Sequence, residues 1–310
     1  MERLDWAPLR AEEATWQSVS EHLGTTTEDS AWLELVTHEL RSIFSQNGVG
    51  GTVFRNQFGR TVACFYSAFL DPEFSQEILV EDTPWVNARA ASRTAAGAPT
   101  ILPTPERNLA RFLSATGQGL HLHLFVFDWL GGHEADMTYK LRTALAQDLV
   151  SRYCGAPIRY ITVEAKPVYQ DEAERSGFRV FRRYAGEDTC LMLADVHAFD
   201  NHMVPTLMSL LVRGRPQLRL SAMYRRVLYF HQRGYTDDEI AEVLGLSRST
   251  MKTYWDRIFT ALGEVIDFPA QGSKRRAVSS YLQLHPEECW PTSSTLQPSD
   301  SPVVTVSVRW

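Results

Sequence analysis

The sequence lacks the signatures of several protein classes. Its four cysteines, at positions 64, 154, 190 and 289, are far apart and show no CxxC spacing, so neither a disulfide framework nor a thiolate metal site is expected. No apolar run is long enough to cross a bilayer, and no basic region followed by an apolar stretch begins the chain. These absences predict a cytoplasmic protein that does not enter a membrane.

Common catalytic motifs are missing as well. We find no nucleophile elbow, no glycine loop that would cradle a phosphate and no paired-carboxylate motif. We therefore expect no enzymatic activity, no cofactor and no metal. His121 and His123 would share one face of a strand, as two metal ligands could, but no third ligand follows at a recognised spacing.

What is present is an ordinary globular composition with an uneven distribution of charge. The 310 residues are enough for two domains with separate cores. Of these residues, 44% are hydrophobic and 22% are charged, as in an ordinary globular protein. The net charge is -6, yet residues 219–278 hold ten Lys or Arg against seven Asp or Glu, so this segment is +3 and the remainder -9. A basic module on an acidic partner is typical of proteins that bind nucleic acid phosphates.

That basic segment predicts a pair of helices. Thr236, with Glu239 three residues later, forms a capping box that starts the first helix, and Gly245 ends it. Ser247 caps the second helix, whose apolar residues keep to one face and are Met251, Trp255, Ile258 and Leu262. Two short helices joined by a glycine-containing turn are the arrangement that sets a helix in the major groove of DNA.

The segment from Leu220 to Leu282 resembles the helix-turn-helix of LuxR/GerE-type transcription regulators. The residues that carry the resemblance are Leu220-Ser221, Gly234, Glu239-Ile240-Ala241, Leu244-Gly245-Leu246-Ser247, Thr250-Met251-Lys252, Ile258, Leu262-Gly263 and Arg276-Ala277-Val278. The chain departs from the family's usual residues at Met223-Tyr224, Tyr254 and Asp256. Sigma-factor region four uses a similar helix pair, but the aromatic-rich helical domain that normally precedes it is missing upstream.

The resemblance implies a homodimer that binds double-stranded DNA on two-fold-related half-sites. The side chains expected to contact DNA lie on the outer face of the second helix and at the N-termini of both helices. They are Thr236, Arg248, Ser249, Lys252, Thr253 and Arg257.

The N-terminal part of the chain predicts an α+β sensor built on an antiparallel sheet. Helical spacing indicates helices at 11–23 and 28–44, and alternation indicates hairpins at 51–69, at 121–142 and at 178–196, with a helix from Ala135 as the alternative to the second hairpin. The pattern resembles a GAF or PAS-type sensor, which would bind a small molecule between sheet and helices. Candidate ligand contacts, chosen by residue type, are Tyr66, Asp82, Trp85 and Trp129.

The predicted fold class is therefore an antiparallel, GAF/PAS-like sensor followed by an all-α LuxR-type helix-turn-helix domain. The predicted boundaries are 1–212 for the sensor, 213–219 for a linker, 220–285 for the DNA-binding domain and 286–310 for a disordered tail. The predicted function is transcription regulation under control of the sensor.

Two alternatives remain open. The first is a response regulator with a degenerate receiver, in which Asp128 would accept the phosphoryl group and Thr162 would be the switch hydroxyl. The second is an adaptor whose helix pair contacts RNA polymerase or another regulator and never touches DNA.

Overall fold

The structure is a computed structural model that divides into two compact units, residues 1–213 and 214–310. The described residues are 10–13, 15, 17–18, 41, 43–44, 46, 48–56, 58–81, 85–103, 108–129, 144–145, 147–149, 153, 156–184, 189–196, 216–268 and 273–289.

The first unit is built on a seven-stranded sheet. Its strands are β1 (Arg10–Glu13), β2 (Val49–Arg55), β3 (Thr61–Phe69), β4 (Leu120–Trp129), β5 (Ile158–Ala165), β6 (Arg179–Arg183) and β7 (Cys190–Asp195). They lie in the order β1-β2-β3-β4-β5-β7-β6. Every neighbouring pair is antiparallel except β4 and β5, which are parallel.

The described helices of this unit lie between β3 and β4 and between β5 and β6 along the chain. They are α1 (Pro72–Val80), α2 (Val86–Ala95), α3 (Leu109–Gln118) and α4 (Pro167–Arg175). Helix α1 begins where the Asp71 carboxylate accepts a hydrogen bond from the Glu73 backbone, with proline in the first turn, where its missing N–H costs nothing. Phe74 and Ile78, one turn apart on α1, are buried against the sheet.

Both faces of the sheet are buried: Phe65 of β3 and Leu122 of β4 are inaccessible on one face, and the other face packs against helices. Cys64, Tyr66 and Ala68 of β3 alternate toward this face and pack in one cluster with α1 and α2. Gly51 of β2 is the strand partner of Tyr66, and a Cβ at Gly51 would come within 2.5 Å of the tyrosine ring. The close backbone approach therefore requires glycine there.

Several local predictions for this unit are confirmed, and others are wrong. The hairpins at 51–69 and 178–196 are present as β2/β3 and β6/β7, because each is closed by neighbouring residues in the chain. The predicted helix over 11–23 is wrong at its start, since residues 10–13 are an edge strand. The helix at 28–44 and the second half of the middle hairpin lie largely outside the described residues.

The predicted fold class is wrong. The sheet is mixed, and the parallel pairing of β4 with β5 excludes the all-antiparallel, GAF/PAS-like sheet. The receiver alternative is also wrong, because β4 with β5 is the one parallel pair among the described strands and because the Thr162 hydroxyl is bonded to two histidine rings. The sequence could not distinguish these sheets, since alternation in a strand is the same whichever neighbour it pairs with.

The second unit is helical over the described residues. Its helices are α5 (Ala222–Gln232), α6 (Asp237–Leu244), α7 (Arg248–Leu262) and α8 (Lys274–Leu284), followed by a 3-10 turn at Pro286–Cys289. The predicted capping box of Thr236 with Glu239, the left-handed C-cap at Gly245 and the cap at Ser247 are all confirmed. Met251, Trp255, Ile258 and Leu262 are buried, as their spacing predicts.

Glu288 joins the end of this unit to its start. Its carboxylate accepts hydrogen bonds from the backbone of Gln217 and Leu218 at 2.5 and 3.0 Å, and it forms a 3.0 Å ion pair with Arg225. Both partners of this pair are buried. Residues 286–289, placed in the predicted tail, therefore form an ordered turn packed on α5.

Neither unit contains a described helix with the length and apolar character that crossing a bilayer requires.

We expect Glu288→Ala to lower the free energy of unfolding of the second unit by about 3–5 kcal/mol, because it leaves the Arg225 charge buried without its partner. Replacing both residues, as Arg225→Met with Glu288→Leu, should recover the part of that loss that comes from the unpaired charge, while the backbone groups of Gln217 and Leu218 lose their partner in both variants. Urea unfolding followed by circular dichroism measures both effects. Glu242→Ala, at an exposed position of α6, is the control and should change stability by less than about 0.5 kcal/mol. Equal losses in the single and double variants would contradict the ion-pair interpretation.

Candidate active site

The sheet opens between its two parallel strands. The pairing of β4 with β5 runs from Leu120 with Ile158 to Leu124 with Val163, and among the described residues it goes no further. The register of β4 against β3 shifts at the same place, because Tyr66 pairs with Val126 while Ser67 pairs with Leu124. Phe125 is thus the extra residue of a β-bulge, which bends β4 away from β5. We call the gap beyond Leu124 and Val163 the β4/β5 fork.

The N-terminus of helix α2 closes one side of this fork. The Asn87 side chain donates from Nδ2 to the Phe125 carbonyl at 2.8 Å, a position that a paired strand would otherwise fill. The backbone N–H groups of Val86 and Asn87 donate to the Glu164 carboxylate at 2.8 and 3.4 Å. The Glu164 carboxylate of β5 therefore caps this helix. The N-cap residue, Trp85, makes no capping bond with its own side chain.

Glu164 and Tyr184 form a hydrogen-bonded pair beside the fork. The Tyr184 hydroxyl donates to Glu164 Oε1 at 3.1 Å. Burial raises the pKa of the Glu164 carboxyl, and the bonds from Val86, Tyr184 and Asn87 oppose that rise. Burial also raises the pKa of the Tyr184 hydroxyl, and the negative charge of Glu164 adds to the increase. A carboxyl group tuned toward neutral pH next to a hydroxyl is a pair that can accept and donate protons.

Trp85 marks the same place with an unusual backbone. Its φ of 65° puts it in the left-handed region, where it is the one non-glycine residue with positive φ in the described part of the chain. Its ring lies against that of Tyr184, with centroids 6.4 Å apart. Such conformations persist only where surrounding contacts hold them, and they concentrate at functional sites.

A chain of hydrogen-bonded polar side chains, buried at its centre, lies behind the fork. Ser75 Oγ contacts His121 Nδ1 at 2.7 Å, and His121 Nε2 contacts Thr162 Oγ1 at 2.7 Å. Thr162 Oγ1 also contacts His123 Nδ1 at 2.8 Å, and His123 Nε2 contacts Asn87 Oδ1 at 3.4 Å. Burial lowers the pKa of His121 to about 3 and lowers that of His123 well below its ordinary value, so both rings are neutral.

The structure describes the side chains of two of the four predicted ligand contacts, Tyr66 and Trp85. Tyr66 shares one buried cluster with Phe125 and Tyr184, and its hydroxyl has no hydrogen-bond partner within the described ranges. Trp85 lies at the start of α2. Trp129 ends β4 opposite Ala63, and its side chain, like the whole of Asp82, lies outside the described residues.

The predicted DNA contacts lie on the exterior of the second unit, and several are used within the chain. Arg248 forms an ion pair with Asp238 at 2.8 Å, and the Thr253 hydroxyl donates to the Ser249 carbonyl at 3.1 Å. Thr236 caps α6. Lys252 and Arg257 are exposed on α7.

Sequence reasoning missed the residues that define the fork. Asn87, Glu164 and Tyr184 belong to no recognised motif. A signal was available for Glu164, because an acidic residue inside the apolar strand Ile158–Ala165 requires a partner once buried. The shared face of His121 and His123 was predicted correctly, but the group that joins them is Thr162. Among the described residues, no cluster of three His, Cys, Asp or Glu side chains is arranged to hold a metal ion.

We expect the stability of the first unit to fall as pH drops from about 6.5 toward 3. The folded pKa of His121 is below its unfolded value, so the unfolded chain takes up a proton across this window and the folded chain does not. One such histidine contributes about 1.4 kcal/mol per pH unit. Native-state hydrogen exchange of β4 peptides, corrected for the intrinsic rate, measures the slope.

His121→Gln should reduce that slope, because glutamine does not titrate. His285→Gln, a partly exposed position in the other unit, is the control and should leave it unchanged. An unchanged slope in His121→Gln would show that the ring is not held neutral.

Comparison with known proteins gives a fold-level likeness only. No protein-family model matches the chain, and no curated protein matches it. Among solved structures, the chain is similar to FeeM, an N-acyl amino acid synthase from uncultured soil microbes, with 10% identity, a TM-score of 0.34, and coverage of 61% of this chain and 92% of FeeM. It is similar to Arabidopsis thaliana NAA60 in complex with acetyl-CoA, with 9% identity, a TM-score of 0.35, and coverage of 61% and 99%.

A third similar structure is the AHL synthase LasI, with 12% identity, a TM-score of 0.28, and coverage of 60% of this chain and 88% of LasI. All three TM-scores are below 0.5.

These comparisons contradict the predicted LuxR/GerE-type transcription regulator with a GAF/PAS-like sensor. The structures named above are an N-acyl amino acid synthase, a complex with acetyl-CoA and an AHL synthase, and the predictions of a DNA partner and of no enzymatic activity are contradicted as well. The capped helix pair that suggested DNA binding is present, but capping fixes only how two helices meet and says nothing of what their outer face contacts.

Proposed function

We propose that the first unit is an acyltransferase that moves an acyl group from a thioester donor to an amine. The observation that carries this proposal is the β4/β5 fork with the Glu164–Tyr184 pair beside it. A donor with an extended, amide-bearing arm fits such a gap, because its amides can pair with strand edges that no longer pair with each other. Acetyl-CoA, bound in the similar NAA60 structure, is a thioester of this kind.

The Glu164 carboxylate is suited to act as the base. Its burial raises its pKa, and a base is most effective when its pKa approaches the working pH. The acceptor enters as a neutral amine and attacks the thioester carbonyl carbon. As the C–N bond forms, Glu164 takes one proton from the nitrogen.

The Tyr184 hydroxyl is suited to act as the acid. As the C–S bond breaks, Tyr184 gives its proton to the leaving sulfur and then regains one from Glu164 across their 3.1 Å contact. Protonation of Glu164 removes the negative charge that raises the pKa of Tyr184. Tyr184 therefore becomes more acidic at the step in which it donates, and the products are an amide and a free thiol with no proton left over.

The acceptor would lie at the start of α2, beside Trp85 and Tyr184. The buried Tyr66 hydroxyl needs a hydrogen-bond partner, which a polar group of the acceptor would supply. The aromatic rings of Trp85 and Tyr184 supply apolar contact beside it.

We expect Glu164→Gln to lower kcat for acyl transfer by about 10²- to 10⁴-fold, because it removes the base while keeping an oxygen that can accept the helix N–H bonds. The wild-type rate should rise with pH above the ordinary carboxyl range, since the pKa of Glu164 is raised, and the variant should lose that dependence. The assay follows thiol release from a panel of acyl-CoA donors with a panel of amines.

Glu174→Gln, an exposed position on α4, is the matched control and should keep full activity. Wild-type activity with an unaffected Glu164→Gln would reject Glu164 as the base. No thiol release by the wild type with any donor and amine pair would reject the proposed function.

A further inference from the structure

The hydrogen bonds among the polar side chains behind the fork run in one donor-to-acceptor direction, which the Phe125 carbonyl sets. The Phe125 carbonyl can only accept, so the Asn87 amide must present Nδ2 to it, and Oδ1 then faces His123 Nε2. Because Oδ1 can only accept, His123 carries its proton on Nε2 and leaves Nδ1 bare.

The remaining tautomers follow from that assignment. With Nδ1 of His123 bare, the Thr162 hydroxyl donates to it at 2.8 Å and accepts from His121 Nε2 at 2.7 Å. His121 Nδ1 is then bare and accepts from the Ser75 hydroxyl at 2.7 Å. Neutral histidines are required for this order, since a protonated ring donates from both nitrogens.

Each hydrogen bond in this series polarises the next one in the same donor-to-acceptor direction, from Ser75 on α1 to Asn87 on α2. The rings of His121 and His123 are buried, so solvent does not compete for these contacts. The chain ends on an amide oxygen, which does not relay protons. It is therefore suited to fixing the orientation of the Asn87 carboxamide and not to moving a proton into the site.

Asn87 occupies the point where the donor arm and the base would meet. Its side chain bonds β4 at the bulge, and its backbone N–H bonds Glu164 on β5. The residue is only partly buried. Its Nδ2 atom carries two hydrogens, of which the Phe125 carbonyl takes one.

We propose that Asn87 is a catalytic residue that donates its second Nδ2 hydrogen to the oxygen of the thioester carbonyl, and that His121, Thr162 and His123 are positioning residues that hold the carboxamide for it. This inference rests on the proposed acyl transfer and adds to it the group that stabilises the negative charge of the tetrahedral intermediate. A donor fixed in advance is effective because the charge develops only as the amine attacks.

The test is the effect of Asn87→Ser and Asn87→Asp on acyl transfer by the full chain. Both variants remove the N–H donor, and Asn87→Asp preserves side-chain volume and an acceptor for His123. We expect kcat to fall about 10²- to 10³-fold with the donor KM within a few-fold of the wild type. Gln76→Ala, exposed on α1, is the control and should be active.

The positioning role is tested at His123. His123→Leu should lower kcat, whereas His123→Gln should recover much of it, because its amide can donate to Asn87 and accept from Thr162. The double variant of His123→Leu with Asn87→Ser should be no slower than Asn87→Ser alone, because both changes remove the same oriented donor. Thermal melting of each variant shows whether it folds.

The possible results separate the two proposals. A wild type that releases no thiol overturns the proposed function itself. An active wild type with unchanged kcat in a folded Asn87 variant, or with a loss confined to the donor KM, overturns the role of Asn87 alone. Multiplicative losses at Asn87 and His123 overturn the positioning role.

Discussion

The separation of β4 from β5 is the constraint on which the rest of the first unit depends. Two parallel strands that stop pairing leave backbone groups without a strand partner, and such groups must be satisfied in another way. The bulge at Phe125 produces the separation, and the N-terminus of α2 fills one side of it. The same contacts that complete the sheet therefore place Asn87, Glu164 and Trp85 around one opening.

Glu164 links stability and chemistry at this opening. Its carboxylate accepts hydrogen bonds from the first N–H groups of α2, which are among the few backbone donors that a helix cannot satisfy internally. Burial of the same carboxylate raises its pKa, which disfavours the charged form that the helix prefers. Burial and helix capping therefore act on the pKa of Glu164 in opposite directions, and burial is the larger effect.

The second unit is organised by a different interaction. Glu288 and Arg225, distant in sequence and buried together, tie the final turn to the residues that precede α5. The Arg225 side chain also donates from its two terminal nitrogens to the carbonyls of Glu288 and Leu218, whereas its buried Nε has no hydrogen-bond partner among the described residues. Hydrogen bonds of this kind offset much of the cost of burying an ion pair.

The sequence by itself determined the features that neighbouring residues control. The capping box at Thr236, the left-handed turn at Gly245 and the hairpin of β2 with β3 each depend on contacts within a few residues, so their patterns were sufficient. Only the tertiary structure decided that β4 and β5 run parallel and that Glu164 meets Val86, 78 residues away in the chain. Alternation specifies the face of a strand but not its neighbour, and a helix pair specifies its own packing but not its partner. The site and its chemistry depend on contacts between residues distant in sequence, and for that reason they could not be derived from local patterns.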